Sequence, residues 1–192
     1  LNLTLTDKYK YMQRLLDISF SLIAIVLLAP VFLISMFILK VTGEREIFYF
    51  QERIGHQNKE FNLFKFATMK KNSETMGAGT ITMKDDPRVL PFGKILRKTK
   101  INELPQIFNI FKGDMSFIGP RPLHKKQFSF YSREDQIKIA SVRPGLSGVS
   151  SILFRDEEEI LGSYQGEDPD EIYKKYITPK KSRYEIWYIE NS

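Results

Sequence analysis

The sequence predicts a mixed α/β domain, of the α+β kind and rich in helix, held in one leaflet by a monotopic membrane anchor. Three observations carry that expectation. Ile18 to Leu39 is a 22-residue stretch without a charged side chain, and Pro30 interrupts it. Two aromatic, strand-like runs, Ile47–Gln51 and Phe61–Phe66, flank a turn-forming Gly55-His56-Gln57-Asn58-Lys59. Farther on, Asn102-Glu103-Leu104-Pro105 reads as a helix start that carries an acid, and a stiff Gly119-Pro120-Arg121-Pro122 follows it.

The apolar stretch comes first. Twenty-two helical residues reach about 33 Å, roughly the hydrocarbon thickness of a bilayer. Pro30 lies in its middle, where it removes a helical hydrogen bond and exposes a carbonyl that lipid cannot satisfy. Lys8, Lys10 and Arg14 precede the stretch, and Lys40 and Arg45 follow it. A spanning helix carries asymmetric flanks. A helix that enters, bends at Pro30 and returns puts both basic flanks at one leaflet, so the re-entrant hairpin is preferred over a kinked span or a soluble core helix. No small-residue cleavage site follows, which argues against a cleaved signal peptide.

Residues 70–88 are polar, include Gly77 and Gly79, and read as a mobile loop. Leu90–Thr99 reads as a short helix, with apolar Leu90, Ile95 and Leu96 beside basic Lys94, Arg97 and Lys98. It suits the headgroup layer or an ordinary surface position equally. Asn102 reads as an N-cap and Pro105 as a first-turn residue. Ile107, Phe108, Ile110 and Phe111 then give that helix a buried face, and Gly113 stops it. Ser116-Phe117-Ile118 reads as strand. In the tail, Tyr173, Tyr176, Tyr184, Trp187 and Tyr188 read mostly as core.

The 192 residues carry 29 basic and 23 acidic side chains, for a formal charge of +6. The surplus is uneven: residues 1–125 hold 19 Lys/Arg against 11 Asp/Glu, net +8, and residues 126–192 hold 10 against 12, net −2. The first part therefore faces an anionic partner. Nucleic acid is disfavoured, because no nucleic-acid motif occurs and the apolar stretch has no role there. Without cysteine, disulfides and thiolate metal sites are excluded. His56 and His124 are isolated, and neither a Walker-type loop nor a dinucleotide fingerprint occurs.

Four cations, Lys65, Arg97, Arg121 and Arg143, stand at or near element ends in four separate segments. Converging cations of this kind bind a diphosphate and stabilise charge in phosphoryl transfer. Glu103 is positioned to ligate Mg²⁺ or act as a base. Asp85, Asp86 and Asp114 are further carboxylates without a compelling spacing. Each residue taken singly also fits a structural role, as a dipole partner or a surface ion pair.

Taken together, the motifs resemble the bacterial sugar transferases known as monotopic phosphoglycosyl transferases. The resemblance runs through Gln51-x-Arg53-x-Gly55, Lys65-Phe66-x-Thr68-Met69, Gly93-x-x-Leu96-Arg97, Glu103-Leu104-Pro105-Gln106, Lys112-Gly113-Asp114-Met115-Ser116, Gly119-Pro120-Arg121-Pro122 and Val142-Arg143-Pro144-Gly145-x-x-Gly148. It implies one domain over residues 1–192, with 1–45 the re-entrant helix and its flanks and 46–192 the cytoplasmic catalytic part. It also implies transfer of a phospho-sugar from a UDP-sugar to a polyprenol (undecaprenyl) phosphate, with Mg²⁺ and release of UMP. The place would be the cytoplasmic leaflet of the bacterial inner membrane, as the first membrane step of surface glycan assembly, with downstream glycosyltransferases as possible partners. In that family an aspartate–glutamate pair opens the central motif, and the aspartate forms a covalent phospho-sugar intermediate. The glutamate corresponds to Glu103, and the phosphate-binding cations to Lys65, Arg97 and Arg121. This chain carries Asn102 at the nucleophile position, and a carboxamide cannot form the acyl phosphate. Three readings follow: a deliberate Asp-to-Asn change, a reaction run through Glu103 or by direct transfer, or an inactive relative that serves as a scaffold binding nucleotide sugar or polyprenol phosphate. Pro30 follows Ala29 where many relatives have serine, and Glu185 stands where aspartate is common.

Overall fold

The computed structural model describes residues 5–76, 82, 85–164 and 168–192. Helix α1 (Leu5–Leu27) and helix α2 (Ala29–Val41) are the two limbs of the apolar stretch, bent by 61°. Pro30 sits in the first turn of α2, where its lack of an N–H costs no intrahelical bond. The backbone bonds Leu28 N to Ala24 O (2.9 Å) and Phe32 N to Leu28 O (3.0 Å) continue on both sides of the bend. Among the described residues no single helix is long and apolar enough to cross a membrane, and the bent pair meets that test only jointly.

Both limbs are tied to the rest of the protein. On α1, Arg14 donates from Nη1 to Ile110 O and from Nη2 to Phe111 O, each at 2.6 Å. Buried Asp17 accepts from Ser116 Oγ at 2.8 Å and from the Phe117 N–H at 3.1 Å. On α2, Phe32 and Leu39 are buried with Phe66 and Leu96 in one core cluster. The outward faces stay bare: Val26 is 72% exposed and Phe37 68%.

Strands β1 (Phe48–Ile54) and β2 (Glu60–Phe66) form an antiparallel hairpin, as the aromatic runs predict, with Tyr49 opposite Lys65 and Gln51 opposite Leu63. Helix α3 (Pro91–Lys98) follows, then α4 (Gln106–Lys112). Gly113 ends α4 at φ +99°, a left-handed conformation that glycine adopts without strain. Strand β3 (Ser116–Ile118) leads through α5 (Lys125–Phe128) and α6 (Arg133–Ala140) to β4 (Gly145–Ser147), its parallel partner. The short helices α7 (Val149–Leu153), α8 (Glu157–Gly162) and α9 (Pro169–Ile172) precede a π-helical turn, Tyr173–Ile177, and α10 (Thr178–Asn191).

Three expectations need correction. Asn102 is not an N-cap: Ile101–Glu103 is a separate 3₁₀ turn, and α4 starts after Pro105, which has no N–H to donate back along a continuous helix. The described part of the 70–88 segment is pinned rather than loose. Arg88 is buried, its Nε holds Asp86 Oδ1 at 2.8 Å, and its Nη1 holds the carbonyls of Ser73 (2.7 Å) and Met76 (2.8 Å). Gly77 and Gly79 lie outside the described residues. In the tail Tyr173 is buried, whereas Trp187 is 56% exposed and Tyr184 is also exposed.

Candidate active site

The β1–β2 hairpin supplies one wall of the site. Alternate strand residues share a face, so Tyr49, Gln51 and Arg53 point the same way, and Lys65, opposite Tyr49, joins them. Gln51 organises this face. Its Oε1 accepts from Arg53 Nη2 and, at 3.4 Å, from Lys65 Nζ. Its Nε2 donates to Glu74 Oε1 at 3.1 Å, and the Tyr49 hydroxyl donates to the same oxygen. Arg53 Nη1 also reaches Pro122 O at 3.3 Å, which ties the hairpin to the proline-flanked loop.

That loop is set by the β3–β4 pair. Gly119 N donates to Ser147 O (3.0 Å), and Gly145 N donates to Pro120 O (2.8 Å). A Cβ on Gly145 would stand 2.1 Å from Gly119 N, so only glycine permits this approach. Arg121 emerges from the loop. Its backbone N–H donates to Glu185 Oε1 at 3.3 Å, and its Nη2 holds Glu103 Oε1 at 3.3 Å. Glu103 Oε2 makes no hydrogen bond among the described residues. Asn102, buried beside Glu103, has an Oδ1 with no partner.

Lys65, Arg97, Asn102, Glu103 and Arg121 line one open cleft of about 1420 Å³. Arg53 lines it too, and was missed as a site residue although the Gln51-x-Arg53 alternation places it on the Lys65 face. Arg143 stands apart: it is exposed, its Nε donates to Gly113 O at 3.1 Å, and it does not line the cleft. Pro30 belongs to the helix bend and not to the site. Asp114 pairs with Lys112 at 3.0 Å, and Asp86 with Arg88.

The cations of the cleft shift one another's protonation. Burial raises the Glu103 carboxyl, but Arg121 and Lys65 outweigh burial and hold it down at about 2, so it is ionised at any working pH. Burial, then the neighbouring Arg53, with Arg121 and Arg97 adding to it, brings the Lys65 ammonium down to about 7 against the pull of Glu103. Burial and Arg121 lower Arg53 to about 10. Glu103 holds Arg121 firmly charged. Lys65, Arg53 and Arg121 thus press on one another beside Glu103, and an anion of two or more charges relieves that repulsion.

A second polar group lies along the same cleft. Lys181, 3% exposed, bonds Glu157 Oε2 and, at 3.0 Å, Tyr173 Oη. Ser150 Oγ donates to Glu185 Oε1, the oxygen that also takes the Arg121 N–H. Sequence reading noted Tyr173 as core and Glu185 as a departure from aspartate but passed over Ser150, Glu157 and Lys181, which carry no recognisable motif. Among the described residues, no cluster of three or more His, Asp or Glu is arranged to hold a metal.

A family model described as bacterial sugar transferase matches residues 8–192. The chain is similar to a UDP-N-acetylgalactosamine-undecaprenyl-phosphate N-acetylgalactosaminephosphotransferase of Aeromonas hydrophila, 38% identical over 76% of this chain and 34% of that protein. It is similar to the exopolysaccharide production protein ExoY of Sinorhizobium fredii, 34% identical over 76% of this chain and 70% of that protein. It is also similar to an undecaprenyl-phosphate galactose phosphotransferase of Salmonella typhimurium, 28% identical over 77% of this chain and 34% of that protein. The chain therefore spans about a third of the length of the Aeromonas and Salmonella relatives.

Proposed function

We propose, on the premise that this chain belongs to the bacterial sugar transferase family, that it transfers a phospho-sugar from a UDP-sugar to undecaprenyl or a similar polyprenol phosphate and releases UMP, at the start of surface glycan assembly. The observation that carries this reading is the ionised Glu103 carboxylate set among Lys65, Arg97, Arg121 and Arg53 in a cleft beside an apolar bent helix pair. A diphosphate relieves the mutual repulsion of Lys65, Arg53 and Arg121, and a lipid-borne phosphate reaches such a site from the bilayer surface.

Arg121 binds and orients phosphate oxygens, and its own position is held by Glu185 and Glu103. Lys65 and Arg97 neutralise charge that shifts toward the leaving UMP. Glu103 keeps Oε2 open to a ligand. Mg²⁺ fits this donor set in the way it commonly binds, through one or two protein oxygens with phosphate oxygens completing the shell. Glu103 Oε2 and the unpartnered Asn102 Oδ1 are the oxygens that would hold it. Bound there, Mg²⁺ supplies charge stabilisation to the diphosphate.

The bent helix pair acts as a re-entrant anchor in the cytoplasmic leaflet of the bacterial inner membrane. Arg14 and Asp17 on one limb and Leu39 on the other are tied to the same globular body, while the apex around Val26 and Leu27 is bare. Phe108 and Phe111, both partly exposed on α4, add apolar surface to the bare faces of the two limbs.

Asn102 limits the rate. Restoring the carboxylate with Asn102→Asp is expected to raise UMP release about a thousandfold in nanodiscs that contain polyprenol phosphate and Mg²⁺. The measurement is UMP formed from a panel of UDP-sugars by both forms. Absence of UMP from either form, with protein folded and lipid present, would refute the transferase reading. Equal release by both forms would remove position 102 from the chemistry.

A further inference from the structure

Building on the nucleotide-sugar reading above, we propose that the wall made by α7, α8 and α10 is the subsite that reads the hydroxyl groups of the donor's sugar, with Glu157 as the acceptor and Lys181 as the group that aims it. Glu157 lines the cleft with its side chain 24% exposed. Lys181 engages its Oε2, and Oε1 makes no hydrogen bond among the described residues. A carboxylate with one open oxygen is a directional acceptor for a hydroxyl. Ser151 lines the same wall, and its Oγ is buried without a partner.

Stability does not account for this arrangement. A buried ion pair contributes little that well-packed apolar residues would not. Lys181 is instead held on several sides, by Glu157, by the Tyr173 hydroxyl, and by the rings of Phe154 (5.6 Å to the centroid) and Tyr173 (5.1 Å). Such a cation fixes the direction of the carboxylate.

The position suits a sugar attached to a bound phosphate. Lys181 and Glu185 are four residues apart on α10, one helical turn or roughly 6 Å along its axis. Glu185 accepts the Arg121 N–H, and Lys181 holds Glu157. The Arg121 backbone and the Glu157 carboxylate are thus both held from α10, by side chains one turn apart, and both residues line the same cleft. The charges of Glu157 and Arg121 also act on each other.

The test separates the sugar from the nucleotide. Affinities for UDP, UDP-glucose, UDP-galactose and UDP-N-acetylgalactosamine are measured on the whole chain in nanodiscs and on Glu157→Gln and Ser151→Ala. Glu157→Gln keeps the side-chain shape, and Ser151→Ala provides a second readout if the first variant does not fold. The expected result is UDP affinity within about twofold of the parent, at least one UDP-sugar weakened about tenfold, and a changed ranking of the glucose and galactose epimers. Equal weakening of UDP and every UDP-sugar, or no change in any, would overturn the sugar-reading role. A parent protein that binds neither UDP nor any UDP-sugar would instead overturn the nucleotide-sugar reading itself.

Discussion

Near neutral pH the Lys65 ammonium sits close to its own titration point, because burial and the neighbouring arginines bring it down to about 7. A diphosphate binds the protonated form, so donor affinity should hold steady below that point and fall as the pH rises through it, by up to about tenfold per unit. Glu103, at about 2, and Arg53, at about 10, keep their charges over most of this window. A guanidinium stays protonated throughout, so Lys65→Arg should flatten the profile. UDP titrations from about pH 6 to 9 on both forms decide the matter, and identical profiles would remove Lys65 from donor binding. At this scale much of the site was legible in the sequence. Lys65, Arg97, Glu103 and Arg121 carry charges beside turns or prolines, and they converge on one cleft. Arg143 carried the same local signal as Arg121 but turns its Nε to Gly113 O, since a proline beside an arginine fixes the backbone and not the direction of the side chain. Arg53 was within reach of the Gln51-x-Arg53 alternation, whereas Glu157 meets Lys181 only across 24 residues of chain, and no local pattern reports that.

The element that matters most for the site is the smallest sheet. Strands β3 and β4 have three residues each, and their pairing sets the loop from which Arg121 emerges. Gly145→Ala would drive a methyl group to 2.1 Å from Gly119 N and 2.6 Å from Gly119 O, and backbone atoms cannot swing aside as a side chain can. The strands must part. The expected cost is about 1–3 kcal/mol of stability. Donor affinity should fall with it, because Arg121 moves with the loop. Thermal unfolding and UDP binding measured together check this, and a variant with unchanged affinity would detach the loop's position from ligand binding. Elements with a repeating pattern were readable in advance: the two aromatic strands and the apolar limbs. The buried face expected on α4 holds for Ile107 and Ile110 but not for Phe108 and Phe111, which stay exposed. Strand β4 was not readable, because three residues hold too little alternation to report, and its pairing depends on a partner some thirty residues earlier. The helix start expected at Asn102 failed for a local reason, since Pro105 divides the segment into a 3₁₀ turn and a helix.

For the whole molecule, the bent limbs raise the question of how an apolar stretch with the length of a membrane span is used. A straight span would place Lys8 and Lys40 on opposite faces of the bilayer. The contacts oppose that arrangement. Near the start of α1, Arg14 and Asp17 bind α4 and β3, and near the end of α2, Leu39 packs with Phe66 and Leu96. Because α4, β3 and β2 belong to one body around the cleft, both ends of the hairpin should lie on the side where that body lies. The apex, with Val26 and Leu27, and the outward faces of both limbs are bare apolar surface, bent by 61°. The absence of native cysteine makes the test direct. Lys8→Cys and Lys40→Cys are introduced separately, and each protein is reconstituted in sealed vesicles and treated with a membrane-impermeant thiol reagent. In a population of one orientation, the two positions should be labelled together or protected together. Labelling of one and protection of the other would mean that the stretch crosses the bilayer. The globular contacts of one limb would then have to break in the membrane, and the re-entrant anchor proposed for the bent pair would be refuted.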